Sequence, residues 1–329
     1  MKNTKKIIAL ILTAIMTLAL SVSVFAADDG FGGIRYSDEA SVVITKVYRL
    51  EGAGKSPAET FTLEQVGDGI VKDGEAESAP ALGTVTGASF EEGAATANGT
   101  EAQITVALPE YDHVGVYEYT LREVAGTTAG VTYYGNDIRL TVTVINDDET
   151  GRLRIAAVHT ESVGEEKNDT FTNTYSAGTL QIKKTVTGIL GDKTRYFRFT
   201  VTLNGEEGKT YNDTYAVGET SYAENPTEIK IGETATFYLK HDETLAIENL
   251  PYGVSYTVEE DTPDDYTVTM TASEGVIGAA SVTASFTNNK GGTPDTGISL
   301  DSLPYVAILV LAVAGSAFMI ARKYTRRDR

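Results

Sequence analysis

An all-β chain of two tandem β-sandwich domains is the fold class that the sequence predicts, and three observations predict it. Runs such as SVVITKVYRL, VYEYTLREV, IRLTVTVI, YFRFTVTL and SVTASF are rich in Val, Thr, Tyr and Phe, alternate in character, and are separated by turn residues. No long amphipathic helical pattern interrupts them. The order of features in the first half of this β-rich region recurs in the second, and the phrase Phe-Thr-Asn closes each half, at 171–173 and 286–288.

The elements follow in chain order. At 329 residues the chain exceeds one average domain and supplies two cores. Residues 1–26 carry Lys2, Lys5 and Lys6, then the apolar run IIALILTAIMTLAL, then SVFAA, which is the order of a secretory signal peptide with cleavage expected after Ala26. Residues 27–176 form the first predicted sandwich domain and residues 177–290 the second, each of a size that a sandwich fills. SAGT at 176–179 is the expected joint. Within the first domain, INDDETGRL reads as a hairpin turn between Leu140–Ile145 and Leu153–Val158. Residues 291–329 hold TPDTG at 293–297, an apolar stretch over 303–321, and the basic tail RKYTRRDR. That stretch can span a bilayer with its tail on the cytoplasmic side, so a plain membrane anchor is one reading of it.

The balance of 27 basic against 46 acidic residues, net −19, disfavours nucleic acid, because a phosphate backbone repels such a surface. Solubility is the simple reason for the charge. The chain has no cysteine and no tryptophan. A secreted protein of this size must then hold its sheets by burial or by a crosslink other than a disulfide. Several familiar motifs fail on inspection. EGAGKS at 51–56 ends like a phosphate-binding loop, but Arg49 stands where its first glycine belongs and no helix pattern follows. NDDETG at 146–151 opens like a calcium loop whose twelfth position is Ala157 in place of Glu. His113, His159 and His241 show no metal-ligand or hydrolase spacing. No cofactor is expected.

What repeats is chemical as well as structural. The first domain opens with VVITK, later has YTLRE and ends in FTN; the second opens with LQIKK, later has YTVEE and ends in FTN. Lysine, glutamate and asparagine thus recur in one order: Lys46, Glu123 and Asn173, then Lys184, Glu260 and Asn288. From Lys to Glu the separations are 77 and 76 residues; from Glu to Asn they are 50 and 28, so the second domain is shorter near its end. Residues two apart share a strand face, which puts Lys184 with Leu180, Ile182 and Val186, Glu260 with Val254, Tyr256 and Val258, and Asn288 with Ala284 and Phe286. The same count groups Lys46 with Val42 and Ile44, Glu123 with Tyr119 and Leu121, and Asn173 with Phe171 and Tyr175. All six polar groups are predicted to face a core.

An unpaired buried charge is costly, so each must be neutral or partnered. Desolvation lowers a lysine pKa and raises that of a glutamate by up to about 3–5 units at full burial. A neutral amine is a nucleophile. A protonated glutamate can donate a hydrogen bond to the carboxamide oxygen and shuttle the proton as the amine attacks and ammonia leaves, giving a Lys–Asn isopeptide bond. Effective molarities of roughly 10⁵–10⁸ M make proximity the main driver. The competing reading is a buried Lys–Glu salt bridge with the asparagine satisfying strand-end backbone. Duplicate order and duplicate inward parity favour the reactive reading.

Two resemblances follow from these residues. The C-terminus resembles a cell-wall sorting signal of Gram-positive bacteria, in which a sortase cleaves between Thr and Gly and passes the Thr carbonyl to an amine. The resemblance implies that Thr296 is the acyl donor, cut from Gly297, with Pro294 and Asp295 before it; Thr293 stands where such signals usually carry Leu. Loss of residues 1–26 and 297–329 removes eight basic and two acidic residues, and the net charge moves from −19 to −25. The two domains resemble the CnaB-like, isopeptide-forming, immunoglobulin-like domains of sortase-assembled pilins. The layout over about 36–297, including NLPYGVSYTVEED, is similar to the streptococcal T-antigen type of backbone pilin. That family implies bonds from Lys46 to Asn173 and from Lys184 to Asn288, assisted by Glu123 and Glu260. By position it also implies an intersubunit acceptor at Lys167 in GEEKNDTFTN, with Lys55 and Lys72 as competitors; the pilin motif containing Tyr-Pro-Lys is absent. The implied partners are identical pilin subunits, pilus and housekeeping sortases, peptidoglycan, and ancillary tip or basal pilins. The alternatives are a monomeric sortase-anchored adhesin and a membrane-retained surface protein.

Overall fold

The computed structural model describes residues 40–149, 151–163, 167–261, 263–292, 308–313 and 316. Regular structure in residues 40–292 is strand, because β-branched and aromatic residues at alternate positions pack on a pleated face while Thr, Glu and Lys meet water on the other. The expected signal peptide at 1–26 and the TPDTG motif at 293–297 lie outside the described residues. Of the apolar stretch 303–321, residues 308–313 are helical and exposed, and among the described residues no helix is long and apolar enough to cross a membrane.

In the first domain the opening strand, Ser41–Gly52, lies between Thr100–Ala107, antiparallel to it, and the first half of Thr170–Thr187, parallel to it. The facing sheet centres on Gly115–Glu123. Ile138–Asn146 pairs with one side of that strand, and Leu63–Gln65 and Ile70–Gly74 pair with the other. The predicted hairpin is present as Ile138–Asn146 against Leu153–Ser162. Tyr48 meets Phe61 and Phe90 edge to face in the core, and the two phenylalanine rings lie tilted against each other. Burying each such aromatic contributes roughly 1.5–3 kcal/mol, and this apolar packing offsets the cost of enclosing polar groups among them.

The second domain repeats the plan. The second half of Thr170–Thr187 lies between Ser281–Asn289, parallel, and Thr244–Pro251, antiparallel. Its facing sheet runs Thr234–Leu239, Phe197–Asn204, Ser255–Glu260, Glu274–Val276. The unequal Glu-to-Asn separations now have a structural cause. The first domain places the Ile138–Ser162 hairpin beside its glutamate strand, where the second has only Glu274–Val276.

The SAGT joint is not a loop. Thr170–Thr187 is one strand of 18 residues that closes the first sandwich and opens the second, so one sheet runs through both. Asn173 and Tyr175 point into the first core, whereas Leu180, Ile182 and Lys184 point into the second. The odd spacing means that the strand offers opposite faces to the two cores. The transition is close-packed: Tyr175, Ser176, Ala177 and Gly178 are all buried, and the partner strand Thr244–Pro251 carries one extra residue there, with Asn249 at a φ of 59°. The EGAGKS loop docks at this point, where Lys55 N donates to Asn249 Oδ1 at 2.8 Å. A second contact joins Thr127 and Thr210, whose hydroxyls lie 2.8 Å apart.

Candidate functional site

Each domain closes around a polar cluster assembled from three strands. Lys46 lies opposite Phe171 on the neighbouring parallel strand and Tyr48 lies opposite Asn173. Lys184 lies opposite Phe286, and Val186 opposite Asn288. The offset is two residues in both domains, a distance that a lysine side chain leaning along its strand covers. The acids come from the facing sheets, Glu123 ending Gly115–Glu123 and Glu260 ending Ser255–Glu260. The structure therefore brings both predicted triads together.

In the first triad Lys46 Nζ donates to Glu123 Oε2 and, at 2.7 Å, to Asn173 Oδ1. Asn173 Nδ2 donates to Glu123 Oε1 at 2.6 Å. Lys46 is 1% exposed, Glu123 4% and Asn173 0%. The amine also stands 5.4 Å from the Phe61 ring centre. In the second triad Lys184 Nζ and Asn288 Nδ2 each donate to Glu260 Oε1 at 2.6 Å, and Nζ lies 4.1 Å over the Phe197 ring. Burial holds both lysine pKa values below the usual ammonium range, against the opposing pull of the neighbouring carboxylate in each case.

One feature differs from the sequence expectation. Glutamate was expected to donate to the carboxamide oxygen, yet in both triads the carboxyl group faces the amide nitrogen. In the first domain the cause is the backbone N–H of Tyr134, 2.9 Å from Asn173 Oδ1. An N–H can only donate, so the amide turns its oxygen there and its NH₂ to the acid. Tyr134 and Phe197 were not legible as site residues, since their places depend on how the sheets meet.

The other predicted residues are scattered. Lys167 is exposed and forms an isolated bridge with Glu161 just before the shared strand. Lys55 pairs with Glu92 at 2.7 Å and Lys72 with Glu118 at 3.1 Å, both at the surface. His241 Nδ1 accepts a hydrogen bond from Val186 N at 3.0 Å. Among the described residues no cluster of His, Asp and Glu could hold a metal ion.

Residues 42–176 match the family described as the Spy0128-like isopeptide containing domain, and residues 178–290 match a domain of unknown function, DUF7601. The crystal structure of the major pilin from Streptococcus pyogenes superposes with a TM-score of 0.51 at 22% identity, covering 78% of this chain and all of that one, a likeness of fold. A pilin of Streptococcus pyogenes serotype M1 is 27% identical over 311 residues, 86% of this chain and 91% of the relative. Together these likenesses support a backbone pilin of the streptococcal type. This pilin is thus a structural subunit of a bacterial surface pilus. A shorter match, 36% identical over 130 residues, joins 37% of the pilin to 18% of the pilus tip adhesin Cpa of Streptococcus pyogenes.

Proposed function

We propose that this pilin is a shaft subunit that crosslinks itself internally and is then joined to its neighbours by a sortase, through Thr296 of one copy and Lys167 of the next, before attachment to peptidoglycan. The observation that carries the internal step is the duplicated two-residue offset with a buried acid touching both amine and amide. Burial favours the neutral amine. The lone pair of Nζ attacks Cγ of the asparagine, the acid takes the amine proton and returns it to Nδ2, and ammonia leaves. One amine and one carboxamide become one secondary amide and one ammonia.

The external step is supported by where the ends lie. Lys167 precedes the start of the shared strand, and the closing strand ends with Asn289 opposite Thr187 at its far end. An 18-residue strand spans about 60 Å, so Lys167 and the end of the closing strand at Asn289 lie at opposite ends of it, an arrangement that suits head-to-tail growth. The matching test is an immunoblot of cell-wall extracts. A high-mass ladder that disappears on deletion of the cognate sortase or with Lys167→Ala is expected. A single wall-linked band would favour the adhesin reading, to which the match with a tip adhesin lends some weight. Thr296→Ala leaving localisation unchanged would favour membrane retention.

A further inference from the structure

The carboxamide oxygen of Asn173 is held by a group that belongs to neither the lysine nor the acid. Tyr134 lies in an irregular segment between the strands Val131–Thr132 and Ile138–Asn146. Its backbone N–H points at Asn173 Oδ1 at 2.9 Å and more distantly at Glu123 Oε1 at 3.2 Å. Its ring stands edge-on to Phe171 with centres 5.0 Å apart, and its hydroxyl donates to the buried Ser162 Oγ at 2.8 Å. The side chain thereby pins the segment over the triad and fixes the direction of the N–H. In the second domain Asn288 Oδ1 is buried without a hydrogen-bond partner among the described residues. Tyr266 is the tyrosine that follows Glu260, six residues on where Tyr134 stands 11 beyond Glu123, but its N–H goes to Pro263 O at 3.0 Å.

We propose that the Tyr134 main-chain N–H is the oxyanion donor of the first-domain crosslinking reaction, and that the second domain, in which no described residue donates to Asn288 Oδ1, closes its bond more slowly. This rests on the crosslinking reading given above. When Lys46 Nζ bonds to Asn173 Cγ, the carbonyl electron pair moves onto Oδ1. The Tyr134 N–H already stands at the distance at which a donor stabilises that charge. The pair returns as the Cγ–Nδ2 bond breaks, and the proton lost by the amine reaches Nδ2 through Glu123. The donor is preorganised by packing and needs no rearrangement during the step. A donor of this kind is worth about 10²–10³ in rate.

The test replaces the Tyr134 amide with an ester by incorporating the matching α-hydroxy acid during cell-free translation of the full chain, which keeps the side chain and removes only the N–H. Tryptic digests over time then report the peptides linked through 46 and 173 and those linked through 184 and 288. The expected result is a 46–173 link that forms at least about 10²-fold more slowly, with the 184–288 link unchanged as the internal control for folding. Tyr134→Phe, which keeps the N–H but loses the hydroxyl tie to Ser162 Oγ, is expected to slow the 46–173 link by less than the ester does. A 46–173 link that forms at the unaltered rate in the ester overturns the proposal. Should the ester impair folding, the unaltered chain still decides: a 184–288 link appearing as fast as the 46–173 link overturns it. Absence of both links from the unaltered chain would instead remove the crosslinking reading on which it rests.

Discussion

At the scale of single residues, the chemistry turns on two lysines deprived of water. Each amine is surrounded by aromatic rings and one carboxyl group, and dehydration outweighs the attraction of that carboxyl. If the acids relay the proton, Glu260→Ala leaves one ammonia mass on the mature protein and Glu123→Ala another, as intact-mass measurement reads; loss of both ammonias in either variant would remove the acid from the mechanism. A pH effect follows in the uncrosslinked form, Asn173→Ala with Asn288→Ala. A lysine whose folded pKa is depressed binds fewer protons folded than unfolded, so stability rises as pH increases from the depressed value towards the ordinary one near 10.4. Above about pH 10 the sign reverses, because burial pushes the phenols of Tyr48 and Tyr175 upward and the unfolded chain then loses protons first. Urea midpoints between pH 6 and 10 should therefore climb; a flat profile would mean that the lysines stay charged when folded.

Among elements, the shared strand carries most of the organisation. It holds Asn173 of one site and Lys184 of the other, and its middle is enclosed by both domains. Gly178 is the tightest point: a Cβ there would sit 2.1 Å from the carbonyl oxygen of Ala279. Backbone cannot yield as a side-chain tip does. Gly178→Ala is expected to cost about 1–3 kcal/mol by overpacking, and in the Asn288→Ala background to lower the second-domain transition by about 5–15 °C on calorimetry. An unchanged transition would show that the two strands can part locally without loss. The Ile138–Ser162 hairpin is the other informative element, since it widens one facing sheet while leaving the amide-to-acid hydrogen bond alike in both domains.

Across the whole molecule, the strand directions define a line of force. A load entering at Lys167 passes along residues 167–184, crosses the proposed bond to Asn288 and leaves towards Thr296, so neither sandwich lies in its path. Pulling between positions 167 and 296 should give no extension in the mature pilin. Asn288→Ala should add about 350 Å as residues 185–287 unravel, whereas Asn173→Ala should add nothing. The first-domain bond matters only for loads entering at the N-terminal end. Single-molecule force spectroscopy with the two attachment geometries separates these cases, and extension of the mature pilin from position 167 would contradict the path.

The strand periodicity, the order lysine, glutamate, asparagine in each half, and the inward parity of all six residues are properties of sequence alone, because a strand alternates its side chains whatever it packs against. The odd spacing between Asn173 and Lys184 already implied that a strand running through both would face its two cores in opposite directions. Tertiary structure alone decided that SAGT is strand and not linker, that the glutamates meet the amide nitrogens, and that a tyrosine N–H reaches one carboxamide oxygen and not the other. Those outcomes depend on how two sheets are set against each other and on where an irregular segment is pinned, which no local pattern of residues encodes.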